Sequence, residues 1–223
     1  MFTRIAGRYD LMNSLMTAGR HHAWRRHTAR AAVAAPPGPI LDLATGTADL
    51  ALAVRALDPR RLVVGADFSE GMLREGRAKL AARADARVRL VAADALALPF
   101  AAEAFACVTS AFLLRNLADL DGGFAEMRRV TRPGGRVVAL DIVPPAVPGW
   151  RTLFGLYFRR VVPTIGALVA GERQAYTYLP QSVDRFVTPA ELAAVMTRAG
   201  LRDVTYRTFG LGTIALHVGR AGC

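Results

Sequence analysis

The chain has 223 residues, 52% hydrophobic and 21% charged, with a formal net charge of +11; that is the length of one α/β domain, able to bury roughly 70% of its unfolded surface. Cys107 in an apolar run and Cys223 at the end make no disulfide framework, and His21, His22, His27 and His217 lack metal-ligand spacing; with no membrane-span-length apolar run and no signal-peptide core, the expectation is a single domain, 1–223, in a reducing, cytoplasmic interior. Arginine carries the positive charge almost alone, since Lys79 is the only lysine; such a balance suits anionic lipid or acidic substrates as well as plain solvation of helix faces, and without aromatics interleaved among the basic residues nucleic acid is not the expected partner.

Residues 1–35 read as an amphipathic helical cap with Phe2, Ile5, Tyr9, Met12, Leu15 and Met16 on one side. After Pro36-Pro37-Gly38 the patterns alternate: strand 39–43, helix 48–57, strand 62–66, helix 69–82, strands 87–92 and 105–111, helix 116–131, strand 135–142. Alternation of this kind predicts a doubly wound, mostly parallel sheet with helices on both faces. The run 144–171 breaks the rhythm. It is apolar through Trp150, Leu153, Phe154, Leu156 and Tyr157 but interrupted by Arg159, Arg160 and Pro163, which leaves two readings, an ordinary core helix or a helical flap over the crevice that faces lipid. A helix at 189–199 ending at Gly200, then strands near 202–208 and 212–218, bring the sheet to seven strands.

The site signal lies at Pro39 through Asp49, a buried strand that runs into a small-residue turn and opens a helix. Its acid, Asp42, precedes the turn, and the glycines of a dinucleotide-binding G-x-G-x-x-G loop are absent, which disfavours nicotinamide and flavin. The next strand ends at Asp67, about 25 residues on, where a carboxylate could accept both hydroxyls of a ribose. Asp94 follows the third strand. Any one of these acids could simply end a strand or cap a helix, as Ser69 and Asp49 do in this reading. Three on one rim of a parallel sheet form a site, and they suggest an adenosyl cofactor without a pyrophosphate.

With these pieces in place the chain resembles, nearly end to end, the ubiquinone and menaquinone biosynthesis C-methyltransferases of the UbiE/MenG type. The resemblance rests on Phe2–Asn13 (F-x-x-I-A-x-R-Y-D-x-M-N), Leu41–Asp49 (LDLATGTAD), Asp67–Leu73 (DFSEGML) and Asp94–Phe100 (DALALPF). It continues through Leu114–Asn116 (LRN), Glu126–Gly135 (EMRRVTRPGG), Gly171–Ser182 (GERQAYTYLPQS) and Ala215–Gly219 (ALHVG). It implies a class I, Rossmann-like fold and S-adenosyl-L-methionine as methyl donor. By position, Asp42, Gly46 and Thr47 belong to the turn at the methionine moiety, Asp67 to the ribose, and Asp94 with the Ala95 amide to the adenine. Arg115, Asn116 and Tyr9 form the polar cluster facing the acceptor ring, with Arg115 stabilising a developing phenolate because a guanidinium is a poor base.

The implied acceptor is a polyprenylated quinol: demethylmenaquinol first, 2-polyprenyl-6-methoxy-1,4-benzoquinol second. Such a substrate implies transient contact with the inner face of a membrane, and the reading leaves room for a homodimer. Ala48 replaces the family's usual glycine, Ala111 replaces a serine found in some members, and Leu140–Pro145 departs from the usual acidic-aromatic continuation; the familiar leader is expected to be short or missing. These departures keep two alternatives open, methylation of a small phenolic or polyketide metabolite and a non-catalytic cofactor-binding subunit. An RNA methyltransferase is disfavoured by Ala111-Phe112-Leu113-Leu114 in place of a catalytic amide or cysteine motif. His217 is read as a hydrogen-bonded residue of its strand without a catalytic role, and Tyr176 and Tyr178 as packing or substrate-lining residues left outside the site.

Overall fold

The computed structural model describes residues 9–145, 147–157, 160, 162 and 181–222. Two helices come first, α1 (Tyr9–Thr17) and α2 (Arg20–Val33). The expected single cap is split at Ala18 and Gly19, both with left-handed backbone (φ 48° and 73°). Then follow β1 (Ile40–Leu43), α3 (Asp49–Leu57), β2 (Val63–Asp67), α4 (Glu70–Ala81), β3 (Val88–Ala92) and β4 (Phe105–Ala111). A short 3₁₀ turn at Leu114–Asn116, α5 (Leu120–Val130), β5 (Thr131–Ile142), α6 (Pro148–Leu156), α7 (Pro189–Arg198), β6 (Leu201–Phe209) and β7 (Ile214–Ala221) complete the chain.

The seven strands form one sheet in the order β3-β2-β1-β4-β5-β7-β6. β7 runs antiparallel to both neighbours, and the other pairs are parallel. The order reverses between β1 and β4, so a crevice opens at their carboxyl ends, where sheets of this kind take their ligands. Alternation along the strands divides the core in two. Leu41, Leu43, Val108, Val137 and Ala139 pack on one face with Phe124 and Met127 of α5 and Leu192 and Met196 of α7. Ile40, Cys107, Val138 and Leu140 pack on the other with Ala29 and Ala32 of α2 and Leu50, Ala51 and Val54 of α3. Cys107 is a free thiol with no exposed surface, and burial pushes its pKa up to about 12.

Two boundaries differ from expectation for local reasons. α5 starts at Leu120 because Asp119 caps it, its carboxylate accepting from the Gly122 amide at 2.9 Å, and residues 114–116 turn separately. β5 begins four residues early, at Thr131, which pairs with Phe105 before a bulge; a side chain at Gly135 would meet the Ala106 carbonyl at 2.7 Å, so only glycine lets the two strands approach there. On α1 the apolar stripe is not sealed. Leu15, expected on the inner side, is 46% exposed and Leu11 is 53% exposed. In the run 144–171, α6 accounts for 148–156, and the rest lies largely outside the described residues, as do Phe2, Ile5, Tyr176, Tyr178 and the side chain of Tyr9.

Candidate active site

At the crevice lies a cavity of about 300 Å³. Asp67, Phe68, Ser69 and Met72 form one wall, Asp94 and Ala95 the base, Phe112, Leu113, Asn116 and Leu117 the opposite wall, and Ala44 and Gly46 the turn between. Gly46 has left-handed backbone (φ 58°), and a methyl group on it would meet no atom within 4 Å. The turn therefore offers bare main chain to a ligand at the start of α3, where unpaired N–H groups collect. Two glycines absent from the sequence reading make that turn possible. A methyl at Gly65 would lie 2.8 Å from Thr45 Oγ1 and 2.7 Å from Leu90 Cδ2; one at Gly76 would press on Leu90 Cδ1 at 2.9 Å and only touch the turn, at 3.4 Å from the Thr47 carbonyl carbon. Their signal was glycine inside a strand and inside a helix, the usual mark of a close approach.

Asp67 ends β2 with both oxygens engaged by backbone. Oδ2 accepts from Gly46 N and Oδ1 from Ser69 N, each at 2.8 Å. Burial raises its pKa above the ordinary carboxylate value, with those amide contacts working against the rise. Each oxygen keeps a further lone pair for a hydroxyl donor. Asp94 is exposed, its Oδ1 accepting from Leu96 N at 2.9 Å, and Ala95 closes the corner beside it.

Asp42 and Thr47 are elsewhere. Asp42 is 1% exposed and lies behind the turn, taking Thr45 Oγ1 at 2.6 Å and Thr109 Oγ1 at 3.1 Å. Burial pushes its pKa up to about 6 against those two hydroxyls. It borders only a small void of about 20 Å³. The physical reason is parity: Asp42 shares a strand face with Ile40, the face that packs on α2 and α3. The Thr47 hydroxyl also points away from the larger cavity, donating to Asp10 Oδ1 at 2.9 Å. Ala48, standing where the family usually has glycine, is wholly buried in the apolar core with φ 68°, and lines neither cavity.

The other wall is set by residues 112–116. Phe112 has left-handed backbone (φ 65°), and its carbonyl accepts from Arg115 Nη1 at 2.9 Å and Asn116 Nδ2 at 3.2 Å. Asn116 lines the cavity, and its side-chain oxygen, buried, has no partner among the described residues. Arg115 does not line it. Its guanidinium is paired with Asp141 on β5, and its amide also reaches Asp141 Oδ2 at 3.3 Å. Asp141 is fully buried, and leaving a carboxylate there without a cation would cost several kcal/mol. The arginine expected at the acceptor ring therefore stands behind the wall. The position of Asp141 opposite the L-R-N segment depends on the β4–β5 pairing, which residue order alone does not give. His217 is buried, with Nε2 2.8 Å from the Pro189 carbonyl, matching the expected hydrogen-bonded strand residue.

Comparison with known proteins follows this geometry. The model of the ubiE/COQ5 methyltransferase family matches residues 1–221. The chain belongs to that family. It is 46% identical to a demethylmenaquinone methyltransferase of Roseiflexus castenholzii over 98% of this chain and 91% of that one. It is 42% identical to a ubiquinone/menaquinone biosynthesis C-methyltransferase UbiE of Desulfotalea psychrophila over 98% and 88%. Among solved structures it is similar in fold to an S-adenosylmethionine-dependent methyltransferase of Thermotoga maritima, with a TM-score of 0.67 and 16% identity over 99% of this chain and 97% of that one. This member of the family thus carries its crevice on the expected seven-stranded, Rossmann-like sheet. The described residues contain no cluster of three or more potential metal ligands and no helix long and apolar enough to cross a membrane.

Proposed function

We propose that this methyltransferase alkylates a ring carbon of a polyprenylated quinol, with demethylmenaquinol the leading acceptor and 2-polyprenyl-6-methoxy-1,4-benzoquinol the second. The carrying observation is that Asp67, Asp94 and Asn116 line one cavity, so a nucleoside and a phenolic ring can meet in it. The names of the relatives support the acceptor class. S-adenosylmethionine is the methyl donor, and the residues suit it: Asp67 takes the ribose hydroxyls, Asp94 and the Ala95 amide read the adenine edge, and the bare turn at Gly46 receives the amino-acid end. When bound, it supplies an electrophilic methyl group.

The chain's own task is to orient the ring; an amide is no base, so the proton released when the methyl replaces the ring hydrogen passes to water. The partnerless Asn116 oxygen can accept from a quinol hydroxyl and hold the adjacent ring carbon toward the methyl. Arg115 and Asp141 hold Asn116 in place by fixing the Phe112 carbonyl that its amide nitrogen binds. Because Asp141 offsets its charge, Arg115 acts in this reading through the shape of the wall rather than as a free cation. Tyr9 keeps the acceptor-side role that the family resemblance implies for it.

A prenyl tail keeps such a quinol in the bilayer, and the molecule has a suitable surface. Leu11 and Leu15 of α1 and Leu153 and Leu156 of α6 are all exposed, and the Tyr157 hydroxyl donates to the Met16 carbonyl at 2.8 Å, joining the ends of the two helices. The chain's net charge of +11 favours approach to an anionic leaflet, and these apolar side chains would enter it.

The test is incubation with methyl-labelled S-adenosylmethionine and chemically reduced demethylmenaquinol in micelles, followed by mass spectrometry of the ring. Label on the ring carbon is the expected result; equal turnover of a tail-less phenol would overturn the prenyl reading. Flotation with anionic vesicles at low salt checks the docking edge, and Leu153→Asp with Leu156→Asp should abolish it.

A further inference from the structure

Behind the cofactor turn lies a polar cluster with no part in the chemistry above. Asp10, in the first turn of α1, accepts from Thr47 Oγ1 at 2.9 Å and from Lys79 Nζ at 2.7 Å. The same ammonium donates to Thr47 Oγ1 at 3.0 Å and to Asp49 Oδ1 at 2.6 Å. Asp49 Oδ2 faces Arg25 of α2 at 3.0 Å; burial works to raise the Asp49 pKa, but Arg25 and Lys79 outweigh it and hold the carboxyl below its ordinary value. The Lys79 ammonium of α4 is thus met by α1 through Asp10, by α3 through Asp49 and by the turn through Thr47, while Arg25 of α2 reaches the cluster only through Asp49.

The residue type is informative. Arginine supplies every other cation of a side chain that is charged at all pH values of interest, yet a lysine stands here. An ammonium presents three donors from a single point, matching three oxygens that converge on it from Asp10, Asp49 and Thr47. A guanidinium is a flat fork whose donors spread in one plane and cannot make the same three contacts. The turn is accordingly held from two sides: Gly46 is tied to Asp67 at the cavity, and its neighbour Thr47 is tied to Asp10 on α1. The Asp10 side chain is 42% exposed, so water competes for this link, which suits a contact that opens and closes better than a permanent staple.

We propose that Asp10 and Lys79 form a latch that seats α1 over the cofactor turn, so that binding at Asp67 and Gly46 and the seating of the helix that opens with Tyr9 favour one another. Both residues are positioning residues. The latch rests on the cofactor reading above but not on the identity of the acceptor. It extends the usual logic of linkage: a ligand that orders the turn stabilises whatever the turn holds, and the reverse follows necessarily.

The experiment uses the whole protein and S-adenosylhomocysteine, without any acceptor. Reductive methylation of Lys79, separated from the amino terminus by peptide mass spectrometry, should slow at least about fivefold when the ligand is added, and amide exchange across residues 9–17 should slow in parallel. Asp10→Asn, a near-isosteric change on an exposed helix, should remove that protection and weaken ligand binding several-fold. Lys79→Arg should behave like Lys79→Met rather than like the wild type. If ligand binds the wild-type protein but leaves Lys79 reactivity and exchange at 9–17 unchanged, the latch is wrong. It is equally wrong if Asp10→Asn lowers the melting temperature yet keeps ligand-dependent protection, since that is a staple. Absence of ligand binding by calorimetry would instead strike the cofactor reading itself.

Discussion

The two walls of the crevice handle their polar groups in opposite ways. On the β1–β3 side, Asp67 is held by two main-chain amides, which fix the carboxylate while leaving lone pairs toward the cavity. On the β4–β5 side, Arg115 and Asp141 are held by one another, and what reaches the cavity is the neutral Asn116 that their pairing helps to fix. A wall built from backbone donors keeps its charge for the ligand; a wall built from an ion pair has used its charge on shape. Asp42 shows a third arrangement on the same rim, a carboxylate closed off by two hydroxyls.

The largest effect expected from breaking this contrast is at Asp141. Asp141→Ala leaves Arg115 buried without its carboxylate and should cost about 3–5 kcal/mol by denaturant titration, with loss of methyl transfer. Asp141→Leu combined with Arg115→Met should recover much of that stability but not the activity. A double variant that turns over like wild type would show that the pair does not shape the wall.

Next is Asp42. Its folded pKa of about 6 stands above the ordinary 3.8 because of burial, so the folded state retains a proton that the unfolded state releases. Its contribution is therefore fully present below pH 4 and is lost as pH rises through 6, by roughly 3 kcal/mol in all. His21 runs the other way: burial and the nearby Arg25 lower its pKa to about 4, so its contribution is present above pH 6.5 and lost as pH falls through 4. The two slopes oppose each other across one window, and the difference between Asp42→Asn and wild type isolates the first. A stability difference independent of pH between 4 and 6 would contradict it.

Asp67→Ala should weaken S-adenosylhomocysteine binding by about two orders of magnitude, the worth of two charge-assisted hydrogen bonds, with little change in stability. Calorimetry reads this directly, and an equal loss of affinity in Asp42→Asn would erase the distinction between the two acids. The smallest effect belongs to Ala48→Gly. Relief of its left-handed backbone, worth about 1 kcal/mol, is nearly cancelled by the lost buried methyl at about 0.8 kcal/mol. Ligand affinity should stay within about twofold, because Ala48 touches neither cavity.

The strands and most helices could be read from the sequence because their signals are local: short apolar runs for β1, β2 and β4, a cap at Ser69 and a stop at Gly200; Asp49, also expected to cap, is instead the first residue of α3, after Ala48. Asp67, ending β2, and Asp94, just past β3, were legible for the same reason, whereas Gly46 and Ala95 came from the family resemblance; all four line the cavity. Asp42 lies behind the turn rather than in the larger cavity because parity along a strand decides which face a side chain takes, and one residue reverses it. Arg115 and Thr47 were brought to the right loops but turned toward partners from remote segments, Asp141 and Asp10, whose nearness comes from sheet pairing and helix packing. No spacing rule connects Asp10 to Lys79, 69 residues apart.

Cys107 turns the middle of β4 into a clock. A thiol with no exposed surface and a pKa pushed up to about 12 is closed to disulfide reagents while the sheet is intact. It sits on the central strand between β1 and β5, where release needs the whole sheet to part rather than an edge to fray. In a chain whose other cysteine, Cys223, has been replaced, the rate at which excess reagent labels Cys107 therefore counts global openings, one molecule at a time.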